Sequence, residues 1–295
     1  MLNISFFSYK GGAGRTSLLY NTLPFLAEAL RATPEEPIVV IDLDIDSKGM
    51  TYLIDRECDY NAVQVLKGEI PHNRRTDFAI KSHPFLSKLI PIGEDVGLSA
   101  DMNGAILFIP APSDDSFLGA NNADGQNISL NKIREICTAL RCKALVMDTP
   151  TGSQLSGECA LSISNKIVTT MRITTQFHKG TCEFFRKKAV GYSQKEFIVV
   201  PNAVPYSPMD ENGNARYDIE KLMRRISKNL SDTLIGSENR LNLSLLENGN
   251  YGIREVASFK FEELNLKRIQ KKRQLVDDER LAIKMYEMLA EELVR

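Results

Sequence analysis

Short apolar runs alternate with longer amphipathic stretches along most of this chain. Six apolar runs predict β-strands, at residues 2–8, 37–44, 105–112, 143–150, 166–171 and 196–204. Between them, apolar residues recur at helical spacing, most clearly over 15–30, 129–141 and 179–190. Strands that alternate with helices predict an α/β fold with a single doubly wound, mostly parallel β-sheet flanked by helices.

The chain is predicted to form one domain over residues 1–295, because no linker, repeat or low-complexity tract divides it. Residues 55–104 are less regular and predict small helices or an insertion. Residues 207–218 are rich in turn-forming residues and predict an exposed loop.

Composition excludes several classes of protein. The formal net charge is -1, so no global charge attracts nucleic acid or membrane. The five cysteines form no C-x-x-C pair, which favours reduced thiols over a disulfide framework or zinc site. The N-terminus lacks the features of a signal peptide, and no apolar run approaches ~18 residues. We therefore expect a cytoplasmic protein with no membrane partner.

The stretch SYKGGAGRTS, residues 8–17, joins the first predicted strand to the first predicted helix. A strand, a glycine turn and a helix place several backbone N–H groups at a helix N-terminus, where they bind phosphate. Gly11, Gly12 and Gly14 allow the tight turn. The hydroxyl of Thr16 is a candidate Mg²⁺ ligand, and Ser17 can reach an inner phosphate.

Two other interpretations of this loop are open. It could be a glycine turn that binds nothing, or part of a dinucleotide fingerprint, although Ser17 stands where that fingerprint has its third glycine. The usual phosphate-loop pattern G-x-x-x-x-G-K-[ST] fails at Tyr9 and at Arg15.

The segment from Lys10 to Thr16, KGGAGRT, resembles the deviant Walker A loop of the ParA/MinD family of ATPases, K-G-G-x-G-K-[ST]. Arg15 is the departure, standing where the family has lysine. The resemblance implies the P-loop NTPase fold, with ATP and Mg²⁺ as ligands. It also implies a set of nucleotide-binding residues in the loop, namely Gly11, Gly12, Ala13, Gly14, Arg15, Thr16 and Ser17.

Two acidic motifs follow predicted strands. A Mg²⁺-nucleotide needs carboxylates at neighbouring strand ends, to hold the metal's waters and orient the attacking water. VVIDLDIDSKGMT (39–51) and ALVMDTPTGSQLS (144–156) resemble the second motif and the Walker B segment of the same family. The resemblance implies that Asp44 positions the hydrolytic water and that Asp42 and Asp148 lie at the metal.

Simpler roles exist for the same residues. An aspartate after an apolar run often caps a helix, and Asp46 is expected to cap the following turn.

VVPNAV (199–204) resembles the family strand that ends in an adenine-contacting asparagine, so Asn202 is the candidate for base binding. A turn asparagine is the alternative. No [NT]-K-x-D motif for guanine is present, and ATP is favoured.

In the resembling family the early lysine crosses a dimer interface to the partner's phosphates. The resemblance thus implies a homodimer in the ATP-bound state, with Lys10 and Asp44 as catalytic residues. Arg15 keeps a positive charge at the phosphates, but arginine and lysine are not interchangeable. Nucleotide binding is expected, and the hydrolysis rate is the open question.

The sequence signals for partner-binding surfaces are less specific than those for the nucleotide site. Basic residues over 221–230 and 264–275 suggest nonspecific DNA contact, with a solvated helix face as the alternative. The last predicted helix, 277–295, has an acidic polar face that anionic lipid would repel.

The leading hypothesis is an ATP-driven dimerisation switch, most like a partitioning ATPase, stimulated by an unidentified partner protein. A nucleotide-binding regulatory or scaffold subunit with little turnover is the alternative. A metabolic ligase or kinase on the same fold is a third.

Overall fold

A computed structural model describes the chain except for residues 57, 59, 70–83, 113–122, 153, 207–217, 236, 247–251 and 261–264. Its centre is an eight-stranded sheet in the order β3-β4-β2-β5-β1-β6-β7-β8. The strands are β1 Leu2–Phe7, β2 Ile38–Asp42, β3 Ile90–Pro91, β4 Ile106–Ile109, β5 Ala144–Asp148, β6 Lys166–Met171, β7 Glu196–Pro201 and β8 Arg240–Asn242. β3 pairs with β4 in the antiparallel sense, and every other pairing in this sheet is parallel.

This sheet confirms the predicted fold class, and each of the six predicted strands contains one observed strand. The sequence pattern did not predict β3 or β8. β3 has two residues and β8 has three, so neither is long enough to show a period. Both lie at sheet edges, where burial on two faces is not required.

Helices cover the sheet. They are α1 Arg15–Leu30, α2 Gly49–Ile54, α3 Ala62–Leu66, α4 Ala123–Ala139, α5 Leu155–Ile163, α6 Thr175–Lys187, α7 Ile219–Ser231, α8 Leu266–Lys272 and α9 Asp277–Val294. α4 begins six residues before the predicted start, in a segment with few apolar positions. α6 ends earlier than predicted, because Ala189–Gly191 form a 3₁₀ turn. The predicted loop at 207–218 lies outside the described residues except for Asp218, which caps α7.

Apolar side chains of the strands point alternately to the two faces of the sheet. Val40 packs in a core with α1 and α9, whereas Val39 and Ile41 pack in a core with α4 and α5. A third core lies between α6, α7 and the β6–β7 part of the sheet. The sheet is therefore covered on both faces, as the continuous apolar runs predicted.

The register of three neighbouring strands brings the sequence motifs together. In the β2–β5 pair, Asp42 is opposite Asp148. In the β5–β1 pair, Asp148 is opposite Phe6, two residues before the glycine loop begins. Because the strands are parallel, the segments that follow them leave the sheet on the same side, at the carboxyl ends of the strands, where ligands bind in open α/β sheets.

Within the described part of the chain, no helix combines the length and apolarity needed to cross a bilayer. Among the described residues none of the five cysteines forms a disulfide, and four of them are buried.

The packing of α9 on α1 gives a stability test. Leu289 is fully buried in the α1–α9 core, so we expect Leu289→Ala to lower the free energy of unfolding by about 2–5 kcal/mol, through lost burial and a cavity. Leu281, on the same helix, is 50% exposed, and Leu281→Ala should change stability by less than about 0.5 kcal/mol. Urea unfolding of both variants measures this; equal losses would contradict the packing described.

Candidate functional site

The glycine loop connects β1 to α1 and has two residues in the left-handed backbone region. Gly12 has φ 81° and Gly14 has φ 76°. A Cβ on Gly14 would lie 2.5 Å from Nδ2 of Asn202, so both backbone conformation and space require glycine there. Gly11 and Gly12 are exposed at the tip of the loop, and Ala13 is buried beneath it.

Two side chains from the other half of the sheet contact this loop. Asn202, at the end of β7, donates from Nδ2 to the carbonyls of Ala13 and Gly14, each at 3.1 Å. Arg172, directly after β6, donates from Nε to the carbonyl of Gly12 at 2.7 Å. These bonds hold the loop's carbonyls on its sheet side. Sequence reasoning missed Arg172, although its position just after a predicted strand placed it at the same sheet edge.

Tyr9, the residue before Lys10, lies against α6. A Cβ on Gly180 would come within 2.2 Å of the Tyr9 ring, so the ring packs where α6 has no side chain. Lys10 itself is exposed. Its ammonium is therefore available at the surface of the loop.

Arg15 is buried at the start of α1 and bridges two aspartates. Its Nε lies 2.5 Å from Oδ1 of Asp148, and its Nη2 lies 2.5 Å from Oδ2 of Asp44. The exposed fractions of the Arg15, Asp148 and Asp44 side chains are 5%, 0% and 7%. Burial by itself would lower the pKa of Arg15, but the charges of Asp148 and Asp44 outweigh it and raise that pKa. The guanidinium is thus held in its charged form between two carboxylates.

The second oxygen of Asp148 also has a partner. The hydroxyl of Thr16 donates to Oδ2 of Asp148 at 2.9 Å. Burial raises the pKa of Asp148, and the charge of Arg15 opposes that rise. The first two residues of α1 therefore bind both oxygens of the carboxylate that ends β5.

Asp44 begins a turn that is held by its own carboxylate. Besides Arg15, it accepts from the hydroxyl and from the backbone N–H of Ser47, the latter at 3.4 Å. The backbone N–H of Lys48 donates to the carbonyl of Asp44 at 2.7 Å. Ser47 carried no signal in the sequence, since a serine in a turn is common.

Asp42 is fully buried at the end of β2 and faces Thr51. Its Oδ2 accepts from the N–H and the hydroxyl of Thr51 at 3.0 and 2.8 Å, and its Oδ1 accepts from the N–H of Asp44 at 3.1 Å. Burial, followed by the charge of Asp148, raises the pKa of Asp42 to about 7. The structure thus places Asp42 beside Asp148 and engages both of its oxygens with the chain.

The remaining predicted residues lie nearby. Ser17 is half-buried in the first turn of α1. Asp46, expected to cap a turn, accepts from Nε2 of Gln154 at 3.0 Å and so links the two acidic loops. A further contact, not predicted, is that the hydroxyl of Thr149 donates to the carbonyl of Phe6 at 2.8 Å, which ties the segment after β5 to β1.

The oxygen atoms gathered here are suited to a hard cation. They are carboxylate and hydroxyl oxygens, the ligand type that Mg²⁺ prefers. In the described ranges no cluster of three His, Cys, Asp or Glu side chains could bind a metal alone. Thr16 and Asp148 have the oxygen chemistry that a Mg²⁺ site needs, and in this structure Arg15 occupies one oxygen of Asp148.

No protein-family model matches the chain, and no curated protein matches its sequence. Solved structures match it over nearly its whole length. The structure of pNOB8 ParA bound to nonspecific DNA has 14% identity and a TM-score of 0.60, with 100% of this chain and 98% of that chain covered.

Two further structures are equally similar. MinD complexed with Mg-ADP from Pyrococcus horikoshii OT3 has 14% identity and a TM-score of 0.60, over 99% of this chain and 96% of that chain. An ATP complex of a Cyanothece McdA variant has 13% identity and a TM-score of 0.60, over 100% of this chain and 96% of that chain. At these identities the similarity shows the fold, which is that of the ParA/MinD P-loop NTPases.

The left-handed turn of the loop can be tested by adding one methyl group. We expect Gly14→Ala to lower the free energy of unfolding by about 1–3 kcal/mol, because it forces a positive φ on alanine and displaces Asn202. Gly11→Ala is the matched control: a Cβ there meets no atom within 4 Å, and we expect a change below about 0.5 kcal/mol. Denaturant unfolding compares the two, and a loss at Gly11 as large as at Gly14 would argue against this loop geometry.

Proposed function

We propose that this chain is an ATP-binding and ATP-hydrolysing dimerisation switch of the ParA/MinD type, acting as one domain over residues 1–295. One observation carries the proposal: the left-handed glycine loop, Thr16 and the aspartates at the ends of β2 and β5 meet at one edge of the sheet. The fold, shared with nucleotide-bound MinD and McdA structures, supports the same interpretation.

In this proposal the loop from Gly11 to Ser17 binds the phosphates through its backbone N–H groups and the N-terminus of α1. Arg15 places its guanidinium on the outer phosphates, and its fork of donors suits phosphate oxygens. Asn202 contacts the base. Its amide already packs against the loop carbonyls of Ala13 and Gly14, so a nucleotide on the loop would lie beside it.

The hydroxyl of Thr16 and the carboxylate of Asp148 would hold Mg²⁺, with Asp42 beside them; when bound, the ion neutralises phosphate charge. Asp44, freed from Arg15, accepts a hydrogen bond from the attacking water and orients it. Exposed Lys10 would reach the partner's phosphates across a homodimer. Positive charge on the developing phosphate oxygens is the largest contribution to phosphoryl transfer.

Two variants test the switch. We expect Asp44→Asn to lower ATP-dependent phosphate release by about 10²-fold or more while ATP-driven dimerisation persists, because the carboxylate that orients water is lost and the phosphate loop is unchanged. We expect Lys10→Ala to lose both dimerisation and release. Lys284→Ala, an exposed lysine on α9, is the control. Light scattering with and without ATP and a phosphate assay give the readouts; a Lys10→Ala protein that dimerises normally would exclude the trans lysine.

The alternative function, a regulatory or scaffold subunit with little turnover, is supported by one observation. Arg15 occupies Asp44, the residue proposed to orient water. If this alternative holds, phosphate release stays at background in the parent protein and Asp44→Asn leaves it unchanged. No observation favours a ligase or kinase.

DNA is the proposed macromolecular partner, together with an unidentified activating protein. The structure favours α7 over α8 for the contact. On α8, Lys271 donates to the carbonyl of Leu98, and Arg273 directly after it pairs with buried Glu279. On α7 four basic side chains are exposed, namely Lys221, Arg224, Arg225 and Lys228. One structural neighbour, pNOB8 ParA, was solved on nonspecific DNA.

A salt series tests this assignment. The double substitution Lys221→Ala with Arg225→Ala should weaken DNA binding and reduce the slope of log affinity against log salt by about 2, because two phosphate contacts are lost. Lys271→Ala with Lys272→Ala removes the same charge from α8 and should change the slope little. Fluorescence anisotropy on a random duplex, with and without ATP, measures both; equal slopes for the two double variants would remove α7 from the proposal.

A further inference from the structure

We propose that Arg15 takes the place of the divalent cation in the nucleotide-free site, so that nucleotide binds before metal. The proposal rests on the nucleotide site proposed above and adds an order of binding to it. It follows from the contacts of a single guanidinium.

The guanidinium bridges carboxylates from two strands that are neighbours in the sheet. Its Nε contacts Asp148 at the end of β5, and its Nη2 contacts Asp44 just after β2. Both contacts measure 2.5 Å, and all three side chains are at least nine-tenths buried. Charge-assisted hydrogen bonds of this kind are among the strongest in proteins.

The buried pair of Asp44 and Asp148 needs a compensating positive charge, either from a metal ion or from the chain itself. Two carboxylates held together in a buried site repel each other, and each is costly to bury unpaired. Asp42 adds a third acidic group, on the strand next to β5. Arg15 supplies the compensating charge from within the chain, and it does so through the carboxylate oxygens that would face a metal.

Divalent metal and Arg15 therefore compete for Asp148. One of its oxygens is bound by Arg15 and the other by Thr16, the two residues that begin α1. A metal ion that binds without nucleotide must displace the guanidinium from Asp148 and leave it buried without a partner. Such a loss is strongly unfavourable, so we expect the site to reject metal when no nucleotide is bound.

A phosphate group, unlike a metal ion, can accept hydrogen bonds from the guanidinium of Arg15. The remaining nitrogen of the guanidinium, Nη1, is buried and has no hydrogen-bond partner among the described residues. An oxyanion bound by the N-terminus of α1 would offer this nitrogen an acceptor and draw the whole group away from the carboxylates. The release of Asp148 and Asp44 would then open the metal position and free the water-orienting carboxylate in one movement.

The first experiment uses Mn²⁺ alone, observed by electron paramagnetic resonance on the nucleotide-free protein. We expect no specific binding to the parent protein and binding at least about tenfold tighter to Arg15→Gln, which leaves the carboxylates without an internal cation. Arg172→Gln is the matched control, because Arg172 contacts the Gly12 carbonyl and not the acidic pair. Mn²⁺ binding of equal strength to the parent and Arg15→Gln proteins would overturn the proposal.

The second experiment keeps Arg15 and so does not depend on how Arg15→Gln folds. Fluorescent ADP is titrated in EDTA against the parent protein and Asp44→Asn. We expect the parent to bind without metal and Asp44→Asn to bind several-fold tighter, because one of the two ion pairs no longer has to break. A residue that only orients water would leave affinity unchanged, and that result would overturn the proposal.

The two experiments separate this proposal from the proposed function. Nucleotide that binds only with Mg²⁺ overturns the order of binding and leaves the ATPase proposal standing. Nucleotide that binds under no condition overturns the ATPase proposal and the order of binding, while the Mn²⁺ result separately decides whether Arg15 acts as the internal cation.

Discussion

The parallel register of β2, β5 and β1 determines where the acidic and phosphate-loop side chains lie. Asp42 is opposite Asp148, and Asp148 is opposite Phe6, so one row of backbone pairing places both acidic motifs beside the start of the glycine loop. A shift of one residue in either pair would turn an aspartate to the other face of the sheet. Apolar side chains that pack in separate cores on the two faces, such as Val39 and Val40, fix that register.

This arrangement concentrates negative charge where water is excluded. The chain compensates for that charge in two ways. Asp44 and Asp148 share the guanidinium of Arg15. Asp42 is stabilised by hydrogen bonds from Thr51, yet burial still raises its pKa to about 7. The same buried carboxylates that would attract a cation therefore make the site unfavourable to leave without one.

Much of the fold could be predicted from the sequence, because its central strands are buried on both faces and read as continuous apolar runs. The edge strands β3 and β8 could not be predicted, since they are short and form only by pairing with a neighbouring strand. Of the site, the loop and the two acidic motifs were visible as spacing. Their assigned roles in nucleotide chemistry remain predictions. The contacts between the motifs were not visible, because the turn of Arg15 toward Asp44 depends on the packing of β2 against β5 and on the start of α1.

The contact between Tyr9 and Gly180 has a mechanical consequence. Because the ring fills the space left by the missing side chain, the segment that presents Lys10 cannot shift toward α6 without pushing that helix. α6 in turn shares a core with α7, where Phe185 and Met223 are both buried. The segment before Lys10 and the basic helix α7 are thus connected through α6, which packs against Tyr9 on one side and shares a core with α7 on the other.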